Sequence, residues 1–207
     1  MSEKNTVLGA LEGKTLFITG ATGFLGQPLV EKILRVAPGV GRLYLLIRAK
    51  KQLGGQTLSP DERLHQELFR SSVFDHLRGL RGPAFEEFLK NKVFAVAGDT
   101  SQPQLGMDSK VVRDLQGKVD IVINCAAVVS FDAPLNEALE MNTLSASRVS
   151  EFANACEGAL LIHVSTAFVC GVDKRIAPET IYHTATAEEA SQPYPLGKFS
   201  DVGREIE

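Results

Sequence analysis

The chain has 207 residues, a formal net charge of −3 and 44% hydrophobic residues. This length suits one globular domain with a sizeable core, and a mildly acidic chain without a long basic block argues against a nucleic-acid partner. The polar start excludes a signal peptide, and no apolar run approaches the roughly 18 residues of a membrane span, although peripheral membrane contact stays open. Three cysteines without C-x-x-C spacing predict free thiols and no metal site, which is typical of a cytoplasmic protein.

Short apolar runs alternate with helical patterns along most of the chain. The predicted strands are 15–20, 42–48, 92–99, 119–127 and 159–166. They are almost continuously apolar, as strands covered on both faces are. Helices are predicted at about 108–116 and 134–156, and after the first strand. In that first helix one face carries Phe24, Leu25, Leu29, Val30, Ile33 and Leu34. The alternation predicts an α/β fold with a doubly wound parallel sheet.

Residues 51–91 interrupt this alternation. A loop ends at Pro60, and either Ser59 or Asp61 is placed to cap the helix that follows. The remainder has the pattern of two or three amphipathic helices, which is more chain than a strand crossover needs. We therefore predict a helical insertion against one side of a single domain, which spans 12–207 after an N-terminal tail of 1–11.

The most informative stretch is FITGATGFLGQP, residues 17–28, in which a strand leads into a helix through glycines spaced three apart. Gly20 suits the positive φ of a tight turn, Gly23 leaves room for a diphosphate, and Gly26 lets the helix pack close to the sheet. The spacing differs from the G-x-G-x-x-G dinucleotide fingerprint, but the physical roles are the same. A turn that merely connects two elements is the alternative. The predicted dinucleotide contacts here are Thr19, Gly20, Thr22, Gly23, Phe24, Leu25 and Gly26.

The end of the second strand indicates which dinucleotide is bound. An acidic residue there would favour NAD, whereas this strand ends in Arg48, followed by Lys50 and Lys51. Arg48 offers a planar fork for a ribose 2′-phosphate, with Lys50 beside it, so we predict NADPH as the cofactor. The alternative is that Arg48 simply ends a strand in solvent.

Further cofactor contacts are predicted after the third and fourth strands. Asp99, with Thr100 next to it, is placed to accept a hydrogen bond from the adenine amino group. The small residues Ala126 and Ala127 allow a flat cofactor to pass close by. Asn142 lies inside a predicted helix, where asparagine has poor propensity, so a cofactor contact and a core or solvent role are both open.

These features resemble the extended short-chain dehydrogenase/reductase superfamily, and more closely the N-terminal reductase domain of the male-sterility type fatty acyl-CoA reductases. The resemblance rests on ITGATGFLGQPLVEKILR, LYLLIR, SSVFDHLR, AGDTSQPQLGM, INCAAVVSFDAPLNEALEMNTL and HVSTAFVCG, and it covers most of residues 12–171. It implies a Rossmann fold and NADPH-dependent reduction of a long-chain acyl-CoA to the fatty aldehyde or alcohol.

The resemblance also implies the catalytic groups. Members of the superfamily use a Ser or Thr hydroxyl after the fifth strand, a Tyr, and a Lys one helical turn beyond the Tyr. Thr166 matches the hydroxyl position, and Ser165 is the alternative. Tyr194 and Lys198 have the spacing of the Tyr/Lys pair, but the proline and glycine between them disfavour a helix and make the pair a weak candidate.

The chain is consequently expected to end before the last strands of the sheet, and to bind NADPH without turning over acyl-CoA. Two other classes of function stay open. One is another extended short-chain enzyme, such as a sugar-nucleotide epimerase, a dehydratase or a carboxylic-acid-reductase terminal domain, which would not explain the insertion at 51–91. The other is a non-catalytic NADP-sensing domain, in which a competent Tyr/Lys pair would be missing.

Overall fold

Five parallel strands form the sheet that carries the fold, in the spatial order Val93–Ala97, Leu43–Ile47, Leu16–Thr19, Ile121–Asn124 and Leu160–His163. The computed structural model describes residues 6–52, 54–130 and 132–166; the residues up to Val164 form one unit, and Ser165 and Thr166 lie outside it. The strands are β1 (Leu16–Thr19), β2 (Leu43–Ile47), β5 (Val93–Ala97), β6 (Ile121–Asn124) and β7 (Leu160–His163). The doubly wound parallel arrangement predicted from the sequence is confirmed.

The central strand β1 pairs with β2 along one edge and with β6 along the other, and side chains on both of its faces are buried. Leu16 lies opposite Leu43 and Ile121 in the two ladders. Successive side chains of a strand point to opposite faces, so Leu16 and Ile18 enter one core cluster and Phe17 enters the other. Near-continuous apolarity in this strand therefore reflects two layers of cover.

One face of the sheet is covered by α2 (Gly26–Val36) and by the insertion. Ser59 caps the first insertion helix, since its hydroxyl accepts from the Glu62 backbone amide while the Glu62 carboxylate accepts from the Ser59 amide. Pro60 stands in the first turn, where its missing N–H costs nothing. The segments are α3 (Pro60–Arg63), a π-helical turn (Leu64–Phe69), a 3₁₀ turn (Ser72–Phe74), α4 (Asp75–Arg81), a 3₁₀ turn (Gly82–Ala84) and α5 (Phe85–Lys92).

The insertion supplies much of the core on that face. Its apolar side chains are buried in the same cluster as α2 and β1, and these are Leu64, Leu68, Phe69, Phe74, Leu77, Phe85 and Leu89. The predicted placement against one side of the fold is correct. A short antiparallel pair of strands, β3 (Lys50–Lys51) and β4 (Thr57–Leu58), precedes Pro60. The sequence analysis predicted only a loop before Pro60, because the glycines between these strands are typical of loops.

The opposite face is covered by helices from the second half of the unit. They are α6 (Ser109–Gln116), after a 3₁₀ turn (Pro103–Gly106), and a long helix made of α7 (Leu135–Ala138), a π-helical turn (Leu139–Leu144) and α8 (Ser145–Ala155). Val149 and Phe152 of α8 pack on Phe17 of β1, with the Phe17 and Phe152 ring centroids 4.7 Å apart. Residues 7–11 of the predicted tail form a short helix, α1 (Val7–Leu11).

Two expectations about burial are wrong. Phe24 is 100% exposed and does not share the buried face of α2, because the helix begins only at Gly26 and Phe24 belongs to the preceding turn. The edge strand β7 is not covered on both faces, since Leu160 is 58% exposed. Within the described ranges, no helix is both long enough and apolar enough to cross a lipid bilayer.

The burial of the insertion predicts a large difference between two phenylalanine truncations. Phe74→Ala removes a side chain with 0% exposure and should lower the free energy of unfolding by about 3–5 kcal/mol. Phe24→Ala, at a fully exposed position, should change it by less than about 0.5 kcal/mol. Urea denaturation of both variants measures the difference. Equal losses would mean that the insertion is not part of the core.

Candidate functional site

A cleft of about 260 Å³ opens at the carboxyl edge of the sheet, where β1, β2, β5 and β6 end. Parallel sheets commonly bind ligands at this edge, because loops there can diverge to either side of the sheet. The lining residues are Thr19, Gly20, Thr22, Gly23, Leu46, Ile47, Arg48, Arg63, Gly98, Asp99, Thr100, Cys125, Ala126, Ala127 and Met141. Most of the predicted cofactor contacts therefore line one cavity.

The glycine turn after β1 passes close to the end of β6. Gly20 has φ of +69°, and a Cβ on it would lie 2.7 Å from the backbone nitrogen of Ala126. At Gly26 a Cβ would lie 2.1 Å from the carbonyl oxygen of Gly20. The positive φ predicted for Gly20 is confirmed, and Gly26 allows α2 to start close to the turn.

The turn and the start of α2 suit an anion. The amides of Gly23 and Gln27 already donate to the carbonyls of Gly20 and Gly23, at 2.9 and 3.1 Å, so what this turn offers an anion is mainly the positive end of the α2 dipole. The first turn of α2, which lies wholly within the described residues, contains no acidic side chain that would oppose it. Thr22 and Gly23, just before the helix, line the cleft.

Thr19 shapes the cleft through bonds inside the protein. Its buried hydroxyl donates to Asn124 Oδ1 at 2.5 Å and accepts from the Ala126 amide at 3.2 Å. Asn124 Nδ2 in turn lies 3.1 Å from Nδ1 of His163 on β7. This network fixes the backbone of the Cys125–Ala127 wall relative to the glycine turn.

Arg48 and Asp99 stand on neighbouring strands at one end of the cleft. The Arg48 side chain is 64% exposed, and its Nη1 lies 3.9 Å from Asp99 Oδ2. Asp99 Oδ1 accepts from the Ser101 amide at 2.9 Å, which fixes the carboxylate. The Arg48 guanidinium therefore keeps most of its donors available for a ligand.

Arg63 of the insertion is a cleft residue that the sequence analysis missed. Its guanidinium donates from Nη1 to the Arg48 carbonyl at 2.7 Å and from Nη2 to Thr22 Oγ1 at 3.2 Å. Only 8% of the residue is exposed. Sequence offered one signal, an Arg–Glu pair four residues apart in a helix rich in leucine, which also fits an ordinary surface pair.

Glu67 is the acidic partner of Arg63. Its Oε2 accepts from Arg63 Nη2 at 2.6 Å and from Nε at 3.1 Å, and its Oε1 accepts from Lys50 Nζ at 3.0 Å. Burial alone would raise the pKa of Glu67, but the hydrogen bonds and charges of Arg63 and Lys50 bring it below its ordinary value. Lys50, a predicted cofactor contact, is thus bonded to Glu67 and does not line the cleft.

Asn142 lies in the π-helical turn and bonds to the chain rather than lining the cleft. Its Oδ1 accepts from the Val128 amide at 2.8 Å, and its Nδ2 donates to the Val128 carbonyl at 3.0 Å. Met141, the preceding residue, lines the cleft instead. The amide side chain therefore holds the segment that follows Ala126 and Ala127, a role that propensity alone could not distinguish from a ligand contact.

Three of the contacts predicted around the glycine turn fall outside the cleft. Phe24, Leu25 and Gly26 do not line it, because the turn directs the two large side chains to solvent. Ser165 and Thr166 follow β7 in the chain; both are exposed and lie outside the unit described above. Tyr194 and Lys198 are outside the described residues. Five further residues line the cleft although they were not predicted as contacts: Leu46, Ile47, Gly98, Cys125 and Met141.

Cys125 is the thiol that lines the cleft. Burial raises the pKa of Cys125, and burial also raises the pKa of Cys156 to about 11. Both thiols are free, and a raised pKa keeps them protonated at neutral pH. Cys125 is therefore a wall residue and not an activated nucleophile.

The two hydrogen bonds between Asn142 and Val128 predict a difference in stability between two asparagine variants of the same long helix. Asn136→Ala, at an exposed position of α7, should be neutral or slightly stabilising because alanine has the better helix propensity. Asn142→Ala should fall about 1 kcal/mol below Asn136→Ala in free energy of unfolding, since two hydrogen bonds to Val128 are lost. Denaturant titration gives both values. Equal free energies of unfolding in the two variants would show that the Asn142 hydrogen bonds do not stabilise the fold.

Comparison with known proteins identifies the family to which this fold is related. A family model described as male sterility protein matches residues 18–200. Fatty acyl-CoA reductase 8 of Arabidopsis thaliana is 43% identical over 172 residues, which are 82% of this chain and 34% of that protein. The chain therefore spans about a third of the length of this curated relative.

Two solved structures are similar over most of the chain. The terminal R domain from the myxalamid PKS-NRPS biosynthetic pathway has a TM-score of 0.61 at 26% identity, covering 80% of this chain and 38% of that one. The reductase (R) domain of a non-ribosomal peptide synthetase from Mycobacterium tuberculosis has a TM-score of 0.57 at 32% identity, covering 76% and 34%. Together with the family match over residues 18–200, these likenesses show that the chain belongs to the male sterility protein family.

Proposed function

We propose that this chain is the NADPH-binding part of a fatty acyl-CoA reductase that converts a long-chain acyl-CoA to the fatty aldehyde or fatty alcohol. The observation that carries the proposal is the cleft, which combines a glycine turn at a helix N-terminus with two arginines at one end. The acyl-CoA substrate comes from the names of the relatives, among them the alcohol-forming fatty acyl-CoA reductase of Simmondsia chinensis, 34% identical over 189 residues.

The residues of the cleft fit a phosphorylated dinucleotide. Gly20 and Gly23 line the cleft without side chains, so a diphosphate could approach the start of α2 closely there. Asp99 and Thr100 would contact the adenine end of the cofactor. The small side chains of Ala126 and Ala127 would let the rest of the flat cofactor lie close to the wall. When bound, the reduced nicotinamide supplies the hydride for carbonyl reduction.

Two guanidinium groups support a preference for the 2′-phosphate in different ways. Arg48 is mostly exposed and offers its donors to the phosphate. Arg63 is nearly buried and already donates to the Arg48 carbonyl, Thr22 and Glu67, so it contributes mainly positive charge. An arginine fork binds phosphate oxygens through paired charge-assisted hydrogen bonds. A ribose 2′-hydroxyl would instead call for an acidic acceptor at the end of β2, where this chain has Arg48.

Hydroxyl groups after β7 would act on the substrate carbonyl. Reduction of a thioester develops negative charge on the carbonyl oxygen, which donors placed beforehand stabilise. We propose that the Thr166 hydroxyl donates to this oxygen, with Ser165 as the alternative. Tyr194, with Lys198 to lower its pKa, is the weak candidate for the proton source; release of the CoA thiol then leaves the aldehyde.

Cofactor selection is tested by titrating the chain with NADPH and NADH while following nucleotide fluorescence. NADPH should bind more tightly, and Arg48→Ala should weaken NADPH binding about tenfold while leaving NADH binding nearly unchanged, since one charge-assisted contact is lost. Arg42→Ala is the matched control, because Arg42 lies over the Phe94 ring and does not line the cleft. Equal affinities of the unmodified chain for the two nucleotides would refute the NADPH assignment.

The catalytic hydroxyl is tested in a protein that carries this chain and oxidises NADPH in response to acyl-CoA. Thr166→Ala should lower kcat about a hundredfold, as the loss of one oxyanion donor does, with the NADPH affinity nearly unchanged. Ser165→Ala is the neighbouring control and should retain most of the activity. The reverse order of the two variants would transfer the role to Ser165, and two fully active variants would exclude both hydroxyls.

A further inference from the structure

We propose that Glu67 limits how strongly this site prefers a 2′-phosphorylated dinucleotide, by neutralising part of the positive charge at the arginine end of the cleft. Glu67 acts through its two cationic partners and does not itself line the cleft, so it is a specificity-determining positioning residue. The inference rests on the proposed NADPH site. It assigns a function to a carboxylate that would otherwise be only a partner in ion pairs.

The two oxygens of Glu67 have separate partners. Oε2 takes both contacts from Arg63, at 2.6 and 3.1 Å, whereas Oε1 takes the contact from Lys50, at 3.0 Å. The carboxylate therefore links a cleft residue to a lysine on the β3–β4 hairpin. Lys50 is held by this link although it lies only two residues beyond Arg48.

Arg63 does not depend on Glu67 alone for its position. Its Nη1 is bonded to the Arg48 carbonyl and its Nη2 also reaches Thr22 Oγ1. A glutamine at position 67 can present its carbonyl oxygen where Oε2 stands and so keep the acceptor for Arg63. The same glutamine has an amide NH₂ where Oε1 stands, which cannot accept from Lys50.

The charges at this end of the cleft can be counted from these contacts. The charged residues that line it are Arg48, Arg63 and Asp99; those bonded onward from Arg63 are Glu67 and then Lys50. Three cations thus face two carboxylates, a net charge of +1. Neutralising Glu67 raises this to +2 and releases Lys50, and both changes favour a phosphate dianion over a hydroxyl.

The experiment measures the ratio of NADPH to NADH affinity in the 207-residue chain, in Glu67→Gln, in Lys50→Met and in the double variant, at low and at high salt. Glu67→Gln should raise the ratio about fivefold, with NADH affinity unchanged. Lys50→Met should lower the ratio, and the double variant should return to the ratio of the unmodified chain, because the two charge changes cancel. High salt should reduce the gain in Glu67→Gln by screening.

A purely structural role for Glu67 predicts the opposite. If the carboxylate is needed to hold Arg63, then Glu67→Gln lowers the ratio, which overturns the inference, as does an unchanged ratio. Should Glu67→Gln fail to fold, Lys50→Met still decides, since an unchanged ratio in that variant contradicts the charge count. Failure of the proposed function is distinct: it appears as equal NADPH and NADH affinities in the unmodified chain.

Discussion

The close approach of the Gly20 turn to the end of β6 is the constraint on which the cleft depends. With 2.7 Å between a hypothetical Cβ and the Ala126 nitrogen, only glycine lets the chain turn this close to the end of β6. Thr19 and Asn124 fix the same junction from beneath through a buried hydrogen bond. Because β1 and β6 are adjacent in the sheet, the parallel ladder itself brings these two loops together.

The insertion has two roles in this chain. It completes the apolar core on the α2 face, with Phe74 and Leu68 fully buried. It also delivers Arg63 to the cleft, with the capped start of α3 setting where that side chain emerges. The apolar packing and the polar contacts of one short segment are therefore linked through the same helix.

Local patterns were enough to predict much of this molecule. The five strands and the glycine turn are encoded by neighbours in the sequence, so apolar runs and glycines identify them, and the same reasoning narrowed the cap of α3 to Ser59 or Asp61. Phe24 and Leu25 were wrongly assigned to a face of the first helix because helical periodicity does not say where the helix starts. Both residues precede Gly26, where the helix begins.

Pairings between distant residues were not predictable in the same way. Lys50 stands beside Arg48 in the sequence, yet its partner is Glu67, 17 residues further on. Arg63 reaches Thr22 across 41 residues, and nothing in either local pattern indicates that meeting. The poor helix propensity of Asn142 likewise indicates an unusual role, but it does not predict a hydrogen bond to Val128.

The contact between Arg63 and the turn after β1 affects the local opening of the insertion. A ligand that needs the guanidinium can bind only while α3 is closed onto the sheet, so by linkage it must raise the free energy of opening that segment. Amide hydrogen exchange in the insertion would then slow in the liganded state, although most of those amides never touch the ligand. Occupancy of the cleft would therefore stabilise a region of the chain that the ligand does not touch.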